Sequence, residues 1–287
     1  MPTLARAFVF CRGETPATPA VLANLEKILG QAGIPVVQAR EMPGPSRKAD
    51  PPGIEPVFEP GDFAISLGGD GTFLATAAAT RAEIPVLGIN LGRLGYLTDF
   101  SADRLDGELK PVLEGQYQTE TRVLIRGCLK PGAPEWRLAL NDIVLGKADG
   151  GRMIDIETWI DGRFVCAHRA DGLIVSTPSG STAYALSSGG PILHPELSCL
   201  VILPIAPHNL SDRPLVIPGE AQIELRVPEA QASRCLVNWD GAAARRLDPG
   251  VRVQINRAGR ELTIIHPASY DPIARLREKL HWGRSES

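Results

Sequence analysis

The 287-residue chain has no long apolar run, no excess of basic charge and no paired cysteine motif. Without an apolar segment of spanning length we expect no transmembrane helix, and the short apolar stretch near the N-terminus does not match a signal peptide. The net charge of −3 argues against binding of nucleic acid through a basic face. The remaining composition, 44% hydrophobic and 22% charged, is typical of a soluble globular protein. We expect a cytoplasmic protein without a membrane or nucleic-acid partner.

Cysteine is scarce, and each cysteine stands alone. The odd total of five, with no C-x-x-C pair, argues against a disulfide framework or a zinc site. We therefore expect reduced thiols, most of them acting as small buried hydrophobic residues. The P-loop, the G-x-G-x-x-G dinucleotide motif and the G-x-S-x-G nucleophile elbow are also missing, which excludes the common forms of those three sites.

The first 116 residues alternate short apolar runs with helical patterns. This alternation predicts an α/β domain, a Rossmann-like parallel sheet covered by helices. The predicted strands are 8–10, 36–37, 63–67 and 86–89, and the predicted helices begin at Thr18-Pro19, Phe73 and Ala102. Residues 41–60, rich in proline and charge, are predicted to form a loop.

From residue 117 to residue 269 the pattern changes to short β-rich segments, which predicts an all-β, sandwich-like second domain. Asp161-Gly162 is a hairpin signal between two of these segments. Residues 272–280 have a helical pattern again, and we expect 270–287 to pack back on the first domain. The predicted strands are 122–129, 137–145, 153–160, 163–167, 173–177, 199–203, 222–227, 235–239, 251–255 and 262–265.

The run Gly68-Gly69-Asp70-Gly71-Thr72 lies between a buried strand and an alanine-rich helix. Glycines at such a junction let backbone N–H groups approach an anion, and the helix N-terminus adds partial positive charge. Asp70 would repel phosphate there, so it needs another task, such as accepting a proton or holding a metal ion. The alternative is a tight turn in which Asp70-Gly71 supplies only backbone geometry.

Further polar groups have both a functional and a structural interpretation. The segment 176–184 is either a hydroxyl-lined ligand loop or a loop with Ser181 as a helix cap. Asn141-Asp142 could bind ribose hydroxyls or form an Asx turn. Arg169 and Asp171 could face a ligand or pair with each other. The segment 208–214 could offer Arg213 to an anion or form a turn held by an Asp212–Arg213 or Arg213–backbone contact. Asp240-Gly241 is interpreted most simply as a turn.

Taken together, four blocks resemble the bacterial NAD kinase family over about residues 62–270. The glycine loop alone is shared with diacylglycerol kinases, sphingosine kinases and phosphofructokinases, whereas the later blocks are specific to NAD kinases. The blocks are Gly68 to Thr72, Gly88 to Phe100, Asp171 to Pro191 and His208 to Pro214.

The resemblance implies a role for individual residues. Asp70 would be the general base, Gly71 would lie against the dinucleotide, and Asn141 and Asp142 would bind its ribose or nicotinamide portion. The other implied dinucleotide contacts are Arg152, Arg169, Asp171, Thr182, Ala183, Tyr184, Ala185, Leu186 and Ser187. Two positions depart from the family pattern, since Asp142 often has Glu in its place and Ala242 often has Gln.

The resemblance also implies a reaction. The γ-phosphate of ATP would pass to the 2′-hydroxyl of the adenosine ribose of NAD, with Mg²⁺ or another divalent cation neutralising the triphosphate. A homodimer or homotetramer is implied, with Asp142 and Tyr184 near a subunit boundary. The alternatives are a lipid or other small-molecule kinase with the same glycine loop, and a non-catalytic dinucleotide sensor.

Overall fold

The computed structural model describes residues 4–12, 18–42, 57–92, 95–129, 135–148 and 151–281. Contacts divide the chain into two units. The first unit comprises Met1–Gly44, Pro51–Glu120 and Thr263–Ser287, and the second comprises Pro45–Asp50 and Thr121–Leu262. Among the described residues, none of the helices has the length and apolar character needed to cross a membrane.

The elements follow in chain order. The helices are α1 (Thr18–Gln31), α2 (Asp70–Ala79), α3 (Leu105–Leu113), α4 (Tyr184–Ser187), α5 (Glu229–Ala232) and α6 (Pro272–Leu280). Strands β1 to β9 are Arg6–Arg12, Val36–Met42, Asp62–Leu67, Val86–Asn90, Phe100–Ser101, Tyr117–Cys128, Arg137–Ala139, Asp142–Lys147 and Ile154–Ile160. Strands β10 to β17 are Arg163–Ala170, Gly172–Ser176, Cys199–Ile205, Leu215–Pro218, Ile223–Arg226, Cys235–Trp239, Ala242–Arg246 and Val253–Pro267. Strands β6 and β17 contribute residues to both units.

The first unit contains a parallel sheet in the order β2-β1-β3-β4, with the end of β17 beside β4. Every residue of β3 and β4 is buried, as is typical of parallel strands covered on both faces. Helix α1 packs one apolar face, including Leu25 and Leu29, into this core. The parallel α/β fold predicted from the alternating pattern is confirmed.

Helix α2 begins earlier than predicted, at Asp70 instead of Phe73. Gly69 is its N-cap, with extended backbone, and its carbonyl accepts from the N–H groups of Thr72 and Phe73. The predicted glycine loop therefore shortens to Gly68-Gly69, and Asp70 lies in the first turn, where the helix dipole favours a negative charge.

The second unit contains two antiparallel sheets. One has the order β13-β12-β11-β8-β15-β16, and the other includes β10-β9-β14 followed by β17. Apolar residues of both sheets form one buried cluster, for example Ile143 and Leu173 with Ile154 and Leu225. The predicted all-β, sandwich-like architecture is confirmed.

Several details differ from the predicted segments. The segment 137–145 is broken into β7 and β8, while 251–255 and 262–265 are parts of the single strand β17. The sequence pattern missed β13 and β16, which are short edge strands. Strand β2 extends to Met42, and most of the predicted loop, residues 43–56, lies outside the described residues.

Two local predictions are confirmed. Asp161 and Gly162 have positive φ angles of 50° and 75° in the turn between β9 and β10, as a type I′ hairpin requires. Helix α6 begins and ends at the predicted residues, and the Asp271 side chain caps it by accepting from two backbone N–H groups. All five cysteines are free thiols, and Cys128 and Cys235 are buried.

Candidate active site

In the first unit, both carboxylate oxygens of Asp70 accept backbone hydrogen bonds. The N–H of Tyr96 donates to Oδ2 at 2.9 Å and the N–H of Leu97 donates to Oδ1 at 3.0 Å. These charge-assisted bonds fix the orientation of the side chain at the start of α2. Each oxygen keeps a further lone pair, so the carboxylate can still accept a proton or a hydroxyl hydrogen bond.

Gly95 provides the space for this carboxylate. A Cβ at Gly95 would lie only 1.9 Å from Asp70 Oδ1 and 2.4 Å from its Cγ. The same segment is tied down by Thr98, whose Oγ1 accepts from the N–H of Gly95 at 3.1 Å and from Asn90 Nδ2 at 3.0 Å. Asn90 in turn accepts from the N–H of Gly92. Asp70 is therefore one part of a network that holds the segment after β4.

The glycine turn leaves backbone donors available. The N–H groups of Gly69, Asp70 and Gly71 have no acceptor among the described residues, as expected for the first turn of a helix. Gly68 has φ = +152°, and a Cβ there would lie 2.4 Å from Thr72 Oγ1. Only glycine fits that position, so the turn presents its N–H groups where an anion can approach.

In the second unit, Asp240 organises the start of β8. Its carboxylate accepts the N–H groups of Leu140, Asn141 and Asp142 at 2.8, 2.7 and 3.1 Å. Asp240 is also the turn residue expected from Asp240-Gly241, with φ = 50° between β15 and β16. The sequence predicted only the turn and missed the carboxylate, because its partners are about 100 residues away in the chain.

Asp142 is 5% exposed, and its side chain lies beside this second carboxylate. Burial, followed by the charge of Asp240, raises the pKa of Asp142 to about 7. Burial also raises the pKa of Asp240, to about 6, although the three backbone donors oppose that rise. Since those donors stabilise the anion of Asp240, a proton shared by the pair resides on Asp142.

The hydroxyl-rich loop after β11 packs on the same segment. The N–H of Thr177 donates to the carbonyl of Asn141 at 2.9 Å, and Ser176 lies opposite Asp142 in the β8–β11 register. A Cβ at Gly180 would lie 2.2 Å from the Asn141 carbonyl oxygen, so glycine is required for this approach. The structure thus brings the two predicted polar groups of the second unit together.

Within that loop the hydroxyl groups mainly hold the backbone. Ser181 donates to the Pro178 carbonyl at 2.7 Å and accepts from the N–H of Leu193, so it is not the helix cap considered from the sequence. Buried Arg122, which the sequence analysis did not single out, donates to Ser179 Oγ at 3.3 Å.

The implied contacts 182–187 lie at the end of this loop and in α4. Ala185 is buried in an apolar cluster with Val144 and Ile174. Tyr184 is 46% exposed, and Ser187 is also exposed. Of this group, Tyr184 and Ser187 therefore present their side chains to solvent, whereas the Ala185 methyl group belongs to the core.

Arg169 and Asp171 do not pair with each other, whereas Arg213 makes the contacts of the turn alternative. Asp171 forms an ion pair with Lys147 Nζ at 2.7 Å instead of with Arg169. Arg169 and Arg152 are exposed. Arg213 donates to the carbonyls of Leu210 and Asp212, which is the turn alternative for the segment 208–214. Arg93, in the second block, lies outside the described residues.

Two family models match the chain. The ATP-NAD kinase N-terminal domain matches residues 56–117, and the ATP-NAD kinase C-terminal domain matches residues 140–267. The two matches cover the glycine turn with Asp70 and the segments around Asn141 and Asp240. They define the class of protein, a kinase of two domains that phosphorylates a nucleotide.

Curated relatives and solved structures agree with this class. The chain is 47% identical to an NAD kinase of Thiobacillus denitrificans over 226 residues, which are 78% of this chain and 77% of the relative. It is 41% identical to an NAD kinase of Ralstonia nicotianae, covering 92% of this chain and 88% of the relative. The chain belongs to the NAD kinase family.

Among solved structures, an NAD kinase from Archaeoglobus fulgidus in complex with ATP matches with a TM-score of 0.73 at 28% identity. The match covers 96% of this chain and 97% of that one. A yeast NADH kinase complexed with NADH matches with a TM-score of 0.79 at 23% identity, over 100% of this chain and 90% of that one, and shows the shared fold.

Proposed function

We propose that the chain transfers the γ-phosphate of ATP to the 2′-hydroxyl of the adenosine ribose of NAD, giving NADP, with Asp70 as general base. The observation that carries the proposal is Asp70 itself, an acid held in one orientation by two N–H donors beside the unpaired N–H groups of a helix N-terminus. Those N–H groups suit phosphate oxygens, and a fixed carboxylate suits proton removal from a weak nucleophile.

The second unit supplies polar groups suited to a dinucleotide. The buried Asp142 and its neighbour Asn141 offer acceptor and donor atoms for ribose hydroxyls, and the Asp240 carboxylate holds their backbone in place. We assign Arg152, Arg169, Asp171 and residues 182–187 to the same substrate. The family match supports this assignment because it includes all these positions.

A divalent cation, Mg²⁺ in the first instance, completes the proposal. Among the described residues there is no group of three His, Cys, Asp or Glu side chains that could hold a metal ion. This fits Mg²⁺, which is commonly held by substrate phosphates with few protein ligands, and it would neutralise charge on the triphosphate. We assign no side chain of this chain as a ligand.

The test is an acceptor panel with purified protein, ATP and Mg²⁺, with NADP measured by chromatography. Formation of NADP from NAD supports the proposal. Phosphorylation of diacylglycerol instead would support the lipid-kinase alternative, and calorimetric binding of NAD without any NADP would support the sensor. Homo-oligomer formation, measured by light scattering, and a cytoplasmic location stay predictions.

Asp70→Asn tests the role of the base within that assay. We expect this change also to affect the loop, since an amide can accept from only one of the two N–H donors that the carboxylate satisfies. We expect turnover to fall by about 10²-fold or more. The matched control is Asp103→Asn, at an exposed acid near α3, and wild-type turnover in Asp70→Asn would refute the assignment.

A further inference from the structure

Cys166, His168 and Asp212 in the second unit form a continuous chain of contacts. Cys166 and His168 are two residues apart on β10, so their side chains lie on the same face of the strand. Cys166 Sγ lies 3.1 Å from His168 Nε2, and His168 Nδ1 lies 2.9 Å from Asp212 Oδ2. None of the three has a role in the proposed kinase reaction.

This order of groups is that of an activated nucleophile. The Asp212 carboxylate accepts a hydrogen bond from Nδ1–H, which leaves Nε2 as the acceptor that faces the thiol. The thiol itself is partly buried. Burial and the charge of Asp212 raise its pKa, and a contact with Thr158 only partly offsets that rise, so the thiolate forms readily only with a base in contact. His168 occupies that position. The side chains of His168 and Asp212 are 11% and 15% exposed, which limits competition from water for the contact between them.

Cys199 provides an internal comparison. It is also partly buried, and burial raises the pKa of its thiol as well. Within the described parts of the chain, however, the Cys199 thiol has no hydrogen-bond partner, and in particular no imidazole. The two thiols therefore differ mainly in the presence of the His168–Asp212 pair.

We propose that Cys166, with His168 and Asp212, is a modification site that reacts with hydroperoxides. His168 Nε2 takes the thiol proton, and the thiolate attacks one oxygen of the peroxide. An S–O bond forms as the O–O bond breaks, so sulfur loses two electrons to the peroxide. The leaving hydroxide, or alkoxide where the hydroperoxide is organic, receives the proton from His168. The products are a Cys166 sulfenic acid and water, or the corresponding alcohol.

The test uses hydrogen peroxide with a dimedone trap for sulfenic acid, and the labelled peptides are quantified by mass spectrometry over time. We expect Cys166 to be labelled at least about tenfold faster than Cys199 in the wild-type protein. His168→Gln should lower labelling of Cys166 to the level of Cys199. Asp212→Asn should lower it partly, because the imidazole remains but is no longer held by a carboxylate.

His194→Gln is the matched control, since His194 is a histidine of the same unit with a side chain 39% exposed, and it should leave labelling unchanged. Buried Cys128 and Cys235 report on folding, because they stay unlabelled in a folded variant. If His168→Gln exposes them, Asp212→Asn decides the question. Equal labelling of Cys166 and Cys199, or no effect of His168→Gln in a folded protein, would overturn the proposal. Kinase activity is not measured, so the result is independent of the proposed function.

Discussion

Gly95→Ala is the sharpest perturbation of the Asp70 network. The new Cβ would lie 1.9 Å from Asp70 Oδ1, 2.4 Å from Cγ and 2.6 Å from Oδ2, so the whole carboxylate must move. Gly95 does not have a positive φ angle, and alanine therefore brings no backbone strain of its own. The substitution displaces the proposed base while its chemical identity is retained.

The magnitude follows from the two hydrogen bonds that the carboxylate accepts. Hydrogen bonds to charged groups contribute about 1.5–3 kcal/mol each, so full loss of both gives an upper limit of roughly 6 kcal/mol. Asp70 is only partly buried, and water can replace much of that loss. We expect a decrease in unfolding free energy of about 1–3 kcal/mol. A misplacement of about 1 Å lowers catalysis by roughly 10²-fold, and we expect that loss in kcat.

The assay is steady-state formation of NADP together with urea unfolding. Gly92→Ala is the control in the same segment, because a Cβ at Gly92 has its nearest neighbour, Asn90 Oδ1, at 3.9 Å. Asp70→Ala and the double variant complete a mutant cycle. If Gly95→Ala acts through Asp70, it adds nothing in the Asp70→Ala background. An unchanged kcat in Gly95→Ala, or additive losses in the cycle, would refute the reasoning.

Two further predictions concern stability and pH. The pKa of Asp142 is raised to about 7 in the folded protein, so the folded state binds more protons than the unfolded state between about pH 4 and pH 7. The free energy of unfolding therefore falls as pH rises through that window, by at most roughly 4 kcal/mol. Asp142→Asn should flatten this slope in urea titrations at several pH values, whereas Asp103→Asn should not. An unchanged slope in Asp142→Asn would contradict a raised pKa of Asp142. His266 is buried in the first unit, with Nδ1 at 2.6 Å from Asp99 Oδ2 and Nε2 at 3.3 Å from Glu120 Oε2. Burial alone lowers the pKa of His266, but the hydrogen bonds and charges of both acids outweigh burial and raise it. The contribution of protonated His266 to the free energy of unfolding is complete below the unfolded pKa of about 6.5 and is lost as pH rises through the folded pKa. His266→Gln should therefore lower the free energy of unfolding by about 3–5 kcal/mol at pH 6 and by less at pH 9, with His194→Gln as the control. Equal decreases at both pH values would argue against a charged His266.

Much of the fold could be predicted from the sequence because its signals are local. Alternating apolar runs and helical patterns predicted the parallel sheet, and the turn signal at Asp161-Gly162 predicted a hairpin. The exact ends of the elements depend on individual hydrogen bonds. Helix α2 begins at Asp70 because the Gly69 carbonyl accepts the first helical hydrogen bonds, which composition alone does not reveal.

The candidate site was only partly predictable. The sequence identified Asp70, Asn141 and Asp142 but not the groups that hold them. Asp240 was interpreted as a turn residue, and Gly95 was one glycine among 29. Both act through contacts that join positions far apart in the chain.

The sequence by itself determined most of the elements and which residue types stand at the ends of the strands, since periodicity and turn chemistry act over a few residues. Only the tertiary structure decided which side chains meet. The turn between β15 and β16 places Asp240 against the Asn141 backbone, the connection between β12 and β13 places Asp212 against His168, and the segment after β4 places Gly95 against Asp70. Each of these contacts joins residues tens of positions apart, and patterns that act over a few residues do not specify which distant segments meet.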